Sequence, residues 1–420
     1  MAEAQAGVVI VGAGPAGLVL GNLLLDRGVD CVILERRSRA AVEGRARAGF
    51  LAAHSVRVLT ENGLAAGLLA RGRTHTTCRF RSERGEFTLD YAGLGRGEVH
   101  TVYPQQELVR DLVAEFLRRG GDLRFGVEAA DVTDGRVRVR DGADATGRYA
   151  TGRYATGRYA TGRYATGRYA TGRYVAGRYV AGCDGHRGVG RAALTAQGVP
   201  TARWDHGVSW LAVLAAAPPS MPATGYALHE RGFAGHMART ATVTRYYLQC
   251  PRGTDPADWS EDRIWAELAT RMRTAEFGPL REGAVLEKTV VDLRSDVLES
   301  PGTGRLWLAG DAAGLISPSA AKGANLAVLQ AESLARAFEA ALLRGDESGL
   351  VRYAADCLPR VWRAHEFSHW MSGLLHGPAD AGDIDRDEAR YGRALQYARL
   401  ESLRTSRRHQ DFFAENYTGI

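Results

Sequence analysis

Three glycines and one acid have the spacing for nucleotide chemistry. Gly12, Gly14 and Gly17 lie in GAGPAG, with Ala16 beside the third, and Glu35 follows 18 residues after Gly17. In a strand–turn–helix setting the first glycine makes the tight turn and the second lets backbone approach a pyrophosphate. The third lets helix and strand pack closely, and the acid can accept from a ribose hydroxyl. A second cluster lies far downstream in LWLAGDAAGLISPSAAKGANL (306–326), with Asp311, Pro318, Lys322 and Asn325. There an apolar run stops at Gly-Asp and feeds a helix start, whose free N–H groups and dipole favour an anionic ligand.

The surrounding elements suit both roles. GVVIV (7–11) has the composition of a buried strand, LVLGNLLLDRG has helical spacing, and CVIL (31–34) is a second strand ending at Glu35. Arg36, Arg37 and Arg39, then Arg45 and Arg47 in GRARAG (44–49), follow the acid where phosphates would lie. Arginine suits forked phosphate contacts. Further on, the pattern predicts helix over 51–70, strands over 77–90 and 98–103, and a helix from Gln105 to about 119. Strands at 123–127 and 136–140 follow, then β-rich sequence over 207–250, a helix at 260–276 and a strand at 285–298. Two amphipathic helices, 325–345 and 347–375, come next. Trp362, Phe367 and Trp370 of the second are expected in the core or in a dimer contact.

Composition narrows the class. The chain has 420 residues, 45% hydrophobic and 24% charged, as in a globular protein of about two domains. Cys31, Cys78, Cys183, Cys250 and Cys357 form no CxxC pair, which argues against a zinc site or disulfide framework and fits a reducing cytoplasm. No apolar run approaches the ~20 residues of a membrane span, and the N-terminus lacks the basic region of a signal peptide.

Residues 145–174 are six copies of Ala-Thr-Gly-Arg-Tyr, and Val-Ala-Gly-Arg-Tyr completes an insert over 145–179. A period of five matches neither strand nor helix. In a strand each repeat would send its tyrosine to the opposite face. The insert is therefore expected to be an expanded hairpin loop before a last strand, 179–182. Removing the six copies removes six arginines and takes the formal charge from +6 to zero, so the basic balance belongs to the insert. Interleaved Arg and Tyr could bind RNA or single strands. An inert expansion is preferred, and nucleic acid is not expected as a partner.

Three motifs stand in order: GAGPAG (12–17), AGCDG (181–185) and LAGDAA (308–313). With TVYPQQELVRDL (101–112), TRYYLQ (244–249), LEKTVVDLRS (286–295), SAAKGANLA (319–327), CLPRVWRAHEFSHWMSGLLH (357–376) and ENYTG (415–419), the chain resembles the p-hydroxybenzoate hydroxylase family of single-component flavoprotein aromatic hydroxylases. The resemblance spans nearly the whole chain outside the insert. It implies an α/β fold, with a Rossmann-like FAD-binding domain interleaved with a β-sheet substrate domain and a C-terminal helical segment. The expected FAD-binding parts are 1–75, 105–200 and 301–350, the substrate parts 76–104 and 201–300, and the helical region 351–420.

The resemblance also implies FAD as cofactor, NADPH or NADH as reductant, and O2 and a small aromatic acid as substrates of a homodimer. The product is hydroxylated beside its phenol. Gly12, Gly14, Ala16, Gly17 and Glu35 would hold FAD, with Arg45, Arg47, Gln105, Arg245 and Asp311 as further contacts and Lys322 and Asn325 near the flavin ring. Arg239 would pair with the substrate carboxylate beside Tyr247. Tyr226 would meet the phenol, with Tyr417 behind it, His75 at the outer end of a proton path, and Pro318 in the flavin loop. Arg36, Arg45 and Arg294 would contact the nicotinamide nucleotide, and the arginines at 36, 37 and 39 favour NADPH.

Three departures concern substrate. Met237 stands where the family has a serine two positions before Arg239, Gly314 where it has a histidine, and Ala320 where it has a glycine. They fit either a weakened 4-hydroxybenzoate enzyme or a relative acting on a substituted or amino analogue. A flavoprotein whose repeat serves as a binding module is the alternative of another kind.

Overall fold

The computed structural model describes residues 6–45, 49–141, 174–273, 276–377 and 386–419. Arg47 and most of the repeat lie outside them.

The first strand, β1 (Ala6–Val11), runs parallel to β2 (Cys31–Glu35) on one side and to the strand Tyr174–Gly182 on the other. Helix α1 (Pro15–Asp26) joins β1 to β2 and is buried almost all round, from Ala16 to Leu24. Such a helix needs cover on every side. The helices Gln105–Arg118 and Gly323–Arg344 supply it, giving one core with Leu20, Leu112, Phe116, Val328 and Phe338. The parallel sheet continues through Asp122–Phe125 at one edge and Leu306–Leu308 on the other side.

The second sheet has eight strands and runs mostly antiparallel, its longest members being Thr201–Ala215 and Val285–Leu298. Alternation divides its two faces. Leu211, Val213, Ala234, Tyr246 and Leu248 pack on the helix Glu261–Met272 through Trp265 and Leu268. Trp210, Tyr226, Met237 and Tyr247 take the opposite face, against Phe367, Phe413 and Tyr417 of the C-terminal helices. A third, small sheet brings Phe50–Leu51 and Arg73–His75 against His100–Val102.

The helices and strands expected from the sequence are largely present, with two shifts. The segment 51–70 divides into the strand Phe50–Leu51 and the helices Ala53–Glu61 and Ala66–Arg71. The strand expected at 179–182 begins at Tyr174, so the insert boundary of 179 is corrected to 173. Arg136–Arg138 pair antiparallel with Tyr174–Ala176 and recruit the last repeat unit into the sheet. Tyr174 is exposed there and Tyr179 is buried, as a five-residue spacing in a strand requires. Of the helical aromatics, Phe367 is fully buried and Trp362 is exposed. Among the described residues, no helix is long and apolar enough to cross a membrane, and no acidic or thiol cluster could hold a metal ion.

Candidate active site

The nucleotide side is built from backbone. Gly12 has φ +103°, and a Cβ there would stand 2.5 Å from the Cys183 carbonyl oxygen, so the turn after β1 sits directly on the end of the neighbouring strand. A Cβ at Gly17 would lie 2.0 Å from the Gly12 carbonyl oxygen. Gly14 caps α1 without a side-chain hydrogen bond, and a Cβ there would meet nothing within 4 Å. The turn is closed where protein must pack and open where a pyrophosphate would approach a positive helix end. Glu35 holds its shape by accepting from the Ala13 and Arg37 amides, each at 2.9 Å.

The Gly310-Asp311 turn closes on the same place. A Cβ at Gly310 would be 3.0 Å from the Cβ of Ala16, so this turn lies against the first turn of α1. Gln330 fixes it by accepting from the Gly310 amide at 2.7 Å. Arg191, not singled out from the sequence, donates to the Ala312 carbonyl at 3.1 Å and pairs with Asp296 at 2.6 Å. Two helix N-termini, an open glycine cradle and an acid bonded to that cradle's Ala13 amide fit the adenosine and pyrophosphate of FAD.

The substrate side is built from one sheet face. Tyr226 pairs across its strand with Gly235, and Gly235 pairs with Tyr247 on the next. A Cβ at Gly235 would approach the Phe233 ring to 2.9 Å and Tyr247 to 3.3 Å, so the glycine keeps the floor between the tyrosines clear. Trp210 stacks on Phe233 at 5.2 Å, lies 4.9 Å from Tyr247, and donates to His376 at 2.6 Å. The result is an aromatic-walled site. Met237 lies on the same face, one register step from Gly235 and opposite Arg245.

The two ends of this site differ in charge. Arg239 is 5% exposed, reaches Gln106 at 3.4 Å, and is held down to about 10 by burial, against the nearby Tyr247. A buried guanidinium regains stability from an anion. Arg245 is also buried, with Glu287 3.9 Å away. At the other end the Tyr226 and Tyr417 hydroxyls are 2.7 Å apart, and burial pushes both phenols up. Tyr417 is fully buried, and its ring stacks on Phe413 at 4.8 Å.

Several expected positions have more specific surroundings than the sequence implied. The Asn325 amide is filled by protein: its oxygen accepts from Ala52 and Ser55, and its nitrogen donates to Phe50 and Ala321. It braces the start of the long helix. Lys322 is fully buried and donates to the carbonyls of Tyr417, at 2.8 Å, and Gly419. Burial, with Arg363 nearby, lowers it to about 7. Gln105 is the first residue of its helix. Pro318 opens a short 3-10 turn and is exposed, followed by Ala321 in the left-handed region at φ 54°. Arg36, Arg45 and Arg294 are exposed, and Arg294 lies near Asp205 and Asp292. His75 is buried, and its backbone carbonyl accepts from the Tyr91 hydroxyl at 2.7 Å. Between it and Tyr417 stands His100, which the sequence gave no cause to single out.

Residues 5–368 match the family model described as FAD binding domain. The chain is 34% identical to the p-hydroxybenzoate hydroxylase of Acinetobacter baylyi over 413 residues, 98% of this chain and 95% of that protein. A shorter stretch of 73 residues is 44% identical to the 3-amino-4-hydroxybenzoate 2-monooxygenase of Streptomyces cremeus, covering 17% of this chain and 18% of that one. The crystal structure of p-nitrophenol 4-monooxygenase from Pseudomonas putida superposes with a TM-score of 0.77 at 17% identity, over 100% of this chain and 99% of that one. Fold, nucleotide cradle and relatives define an FAD-dependent aromatic monooxygenase with a reduced nicotinamide nucleotide as reductant. Within that class the chain belongs to the p-hydroxybenzoate hydroxylase family.

Proposed function

We propose that the chain hydroxylates 4-hydroxybenzoate, or a close para-hydroxy aromatic acid, ortho to the phenol, with NADPH or NADH as reductant. One observation carries this reading: a buried arginine and a buried pair of hydrogen-bonded tyrosyl hydroxyls belong to the same aromatic-walled site. A para-hydroxy acid has an anion and a phenol at opposite ends of one ring, matching both.

Hydride acceptance and oxygen activation belong to bound FAD. The side chains do the rest. Arg239 and Tyr247 bind the carboxylate and set the ring's depth. Trp210, Phe233 and Met237 exclude water from its faces. Tyr226 accepts the phenol's proton while passing its own to Tyr417, leaving a phenolate whose ortho carbon is the stronger nucleophile. Arg36, Arg37 and Arg39 beyond Glu35 favour the 2′-phosphate of NADPH.

Met237 supports a second reading, a substituted or amino analogue as substrate, as does the short stretch shared with the Streptomyces cremeus enzyme. It offers the carboxylate no hydrogen bond and adds bulk where the family has serine.

The test is NADPH consumption by the FAD-loaded protein with each acid, alongside product analysis. Stimulation with matching 3,4-dihydroxybenzoate supports the first reading. Stimulation without product, and coupled turnover of the 3-amino acid, selects the second.

A further inference from the structure

A hydrogen-bonded line joins the flavin loop to the aromatic wall. Ser368, Ser372 and His376 recur every four residues, so they form one stripe at the end of the helix Ser348–Leu375. The Ser372 hydroxyl donates to that of Ser319 at 3.0 Å, and Ser319 donates to the Ser368 carbonyl at 2.8 Å. The Ser368 hydroxyl in turn donates to the Ser317 carbonyl at 2.9 Å. Ser317 and Ser319 flank Pro318 in the flavin loop, and all four serines are buried. His376 continues the stripe toward the substrate side.

Each nitrogen of His376 faces a partner with a single role. Nδ1 lies 2.9 Å from the Ser372 carbonyl, which can only accept. Nε2 lies 2.6 Å from the Trp210 indole nitrogen, which can only donate. Nδ1 therefore carries the hydrogen, and Nε2 gives its lone pair to the indole. The imidazole ring is 5.6 Å from Trp210 and 5.5 Å, edge-on, from Phe233. Burial lowers it to about 4, which agrees with a neutral ring. A histidine that only capped the helix would need the Ser372 carbonyl alone. This one also reaches a strand residue 166 positions away in sequence.

We propose that His376 is a positioning residue that ties the Trp210 indole, and with it a bound aromatic ring, in register with the flavin loop. This rests on the reading that Trp210 walls the substrate site. Ser372 serves both halves of the tie, its hydroxyl on Ser319 and its carbonyl on His376. Trp210 carries the tie onward, 4.9 Å from Tyr247 and stacked on Phe233.

The consequence falls on alignment. Trp210 is 4% exposed, and a buried indole N–H left without an acceptor is costly. Removing Nε2 therefore turns the ring toward another acceptor instead of leaving it in place. Transfer to an aromatic carbon requires the reacting atoms to be aligned closely. A substrate ring held out of register still permits nucleotide oxidation but gives less product. His376 thus acts on coupling, through Trp210, without touching the substrate.

The experiment compares the FAD-loaded parent with H376F, H376Q, W210F and the double variant W210F/H376F. Glutamine offers the indole a carbonyl oxygen at similar reach; phenylalanine keeps a ring and removes the acceptor. With isotope-labelled tryptophan, the Trp210 indole N–H resonance is assigned among seven tryptophans by its loss in W210F. It should move in H376F and stay near the parent's position in H376Q. Product per nucleotide consumed is measured with whichever aromatic acid the parent turns over. It should fall about tenfold in H376F, recover most of the way in H376Q, and fall no further in the double variant than in W210F. An unmoved indole resonance in H376F, or losses that add in the double variant, overturns the inference. H376L makes the same comparison where phenylalanine does not fit. A parent that turns over other aromatic acids but not 4-hydroxybenzoate overturns the substrate reading alone and leaves this test in force.

Discussion

Lys322 and Tyr417 meet through backbone: the buried ammonium donates to the tyrosine's carbonyl at 2.8 Å, joining residues 95 apart in sequence. The residue that starts the long helix after the flavin loop thus holds down the last helix. The same contact makes stability pH-dependent. In the folded protein the amine is lowered from 10.5 to about 7. Between those values the unfolded chain binds a proton that the folded chain does not, so this site's contribution to stability rises with pH. K322M should flatten the rise. The thermal midpoint of parent and variant between about pH 7 and 8.5, below the usual thiol and phenol titrations, checks this. Parallel curves would count against it.

Tyr226 has a second consequence for turnover. Y226F keeps the ring that packs 5.3 Å from Phe80 and removes only the hydroxyl bonded to Tyr417. FAD content and fold should be unchanged. Product formed per NADPH consumed should fall at least about tenfold, the scale of a lost general-base contact. Unchanged coupling would remove Tyr226 from the proton path.

Arg239 and Met237 should separate binding from fit. R239A removes a charge-assisted contact of roughly 1.5–3 kcal/mol, so KM for a carboxylate substrate should rise about 10- to 100-fold with a smaller change in kcat. M237S should act in the other direction for 4-hydroxybenzoate, lowering KM several-fold by about 1 kcal/mol of new hydrogen bonding. It removes buried volume, at a stability cost of roughly 1–3 kcal/mol. If M237S weakens 4-hydroxybenzoate but strengthens no other acid, methionine is not the specificity element.

The parts legible in the sequence are those where backbone geometry restricts residue type. Gly12, at φ +103° against Cys183, and Gly17, against the Gly12 carbonyl, admit no side chain, so the fingerprint could be read directly. The tyrosine pair was legible only by resemblance, because nothing local links positions 226 and 417. Gly235 and His100 were not legible at all. Their placement comes from strand register, Gly235 between Tyr226 and Tyr247 and His100 opposite His75. Lys322 and Asn325 were located, but their partners on the last helix and near Phe50 depend on tertiary packing that spacing does not encode.

The repeat gives the last prediction. Its described end is structural: Tyr174 pairs with Arg138, Val175 with Val137 and Ala176 with Arg136. Tyr179 is buried against Phe338 at 5.4 Å, and its hydroxyl bonds Glu347. The sheet therefore needs the last repeated tyrosine and the unit after it, and nothing in the described site draws on the copies before. Deleting residues 145–169 leaves one copy ending at Tyr174 and a hairpin still joined through 142–144. FAD content, KM and kcat should stay within about twofold, and the thermal midpoint within a few degrees, because the paired strands Arg136–Arg138 and Tyr174–Ala176 keep their partners. Five arginines leave with the deletion, so elution from a cation exchanger should move to lower salt. RNA retention by the two proteins is measured in parallel. A tenfold loss of activity would give the copies a part in the catalytic fold, and a loss of RNA binding beyond the change in charge would give them a partner.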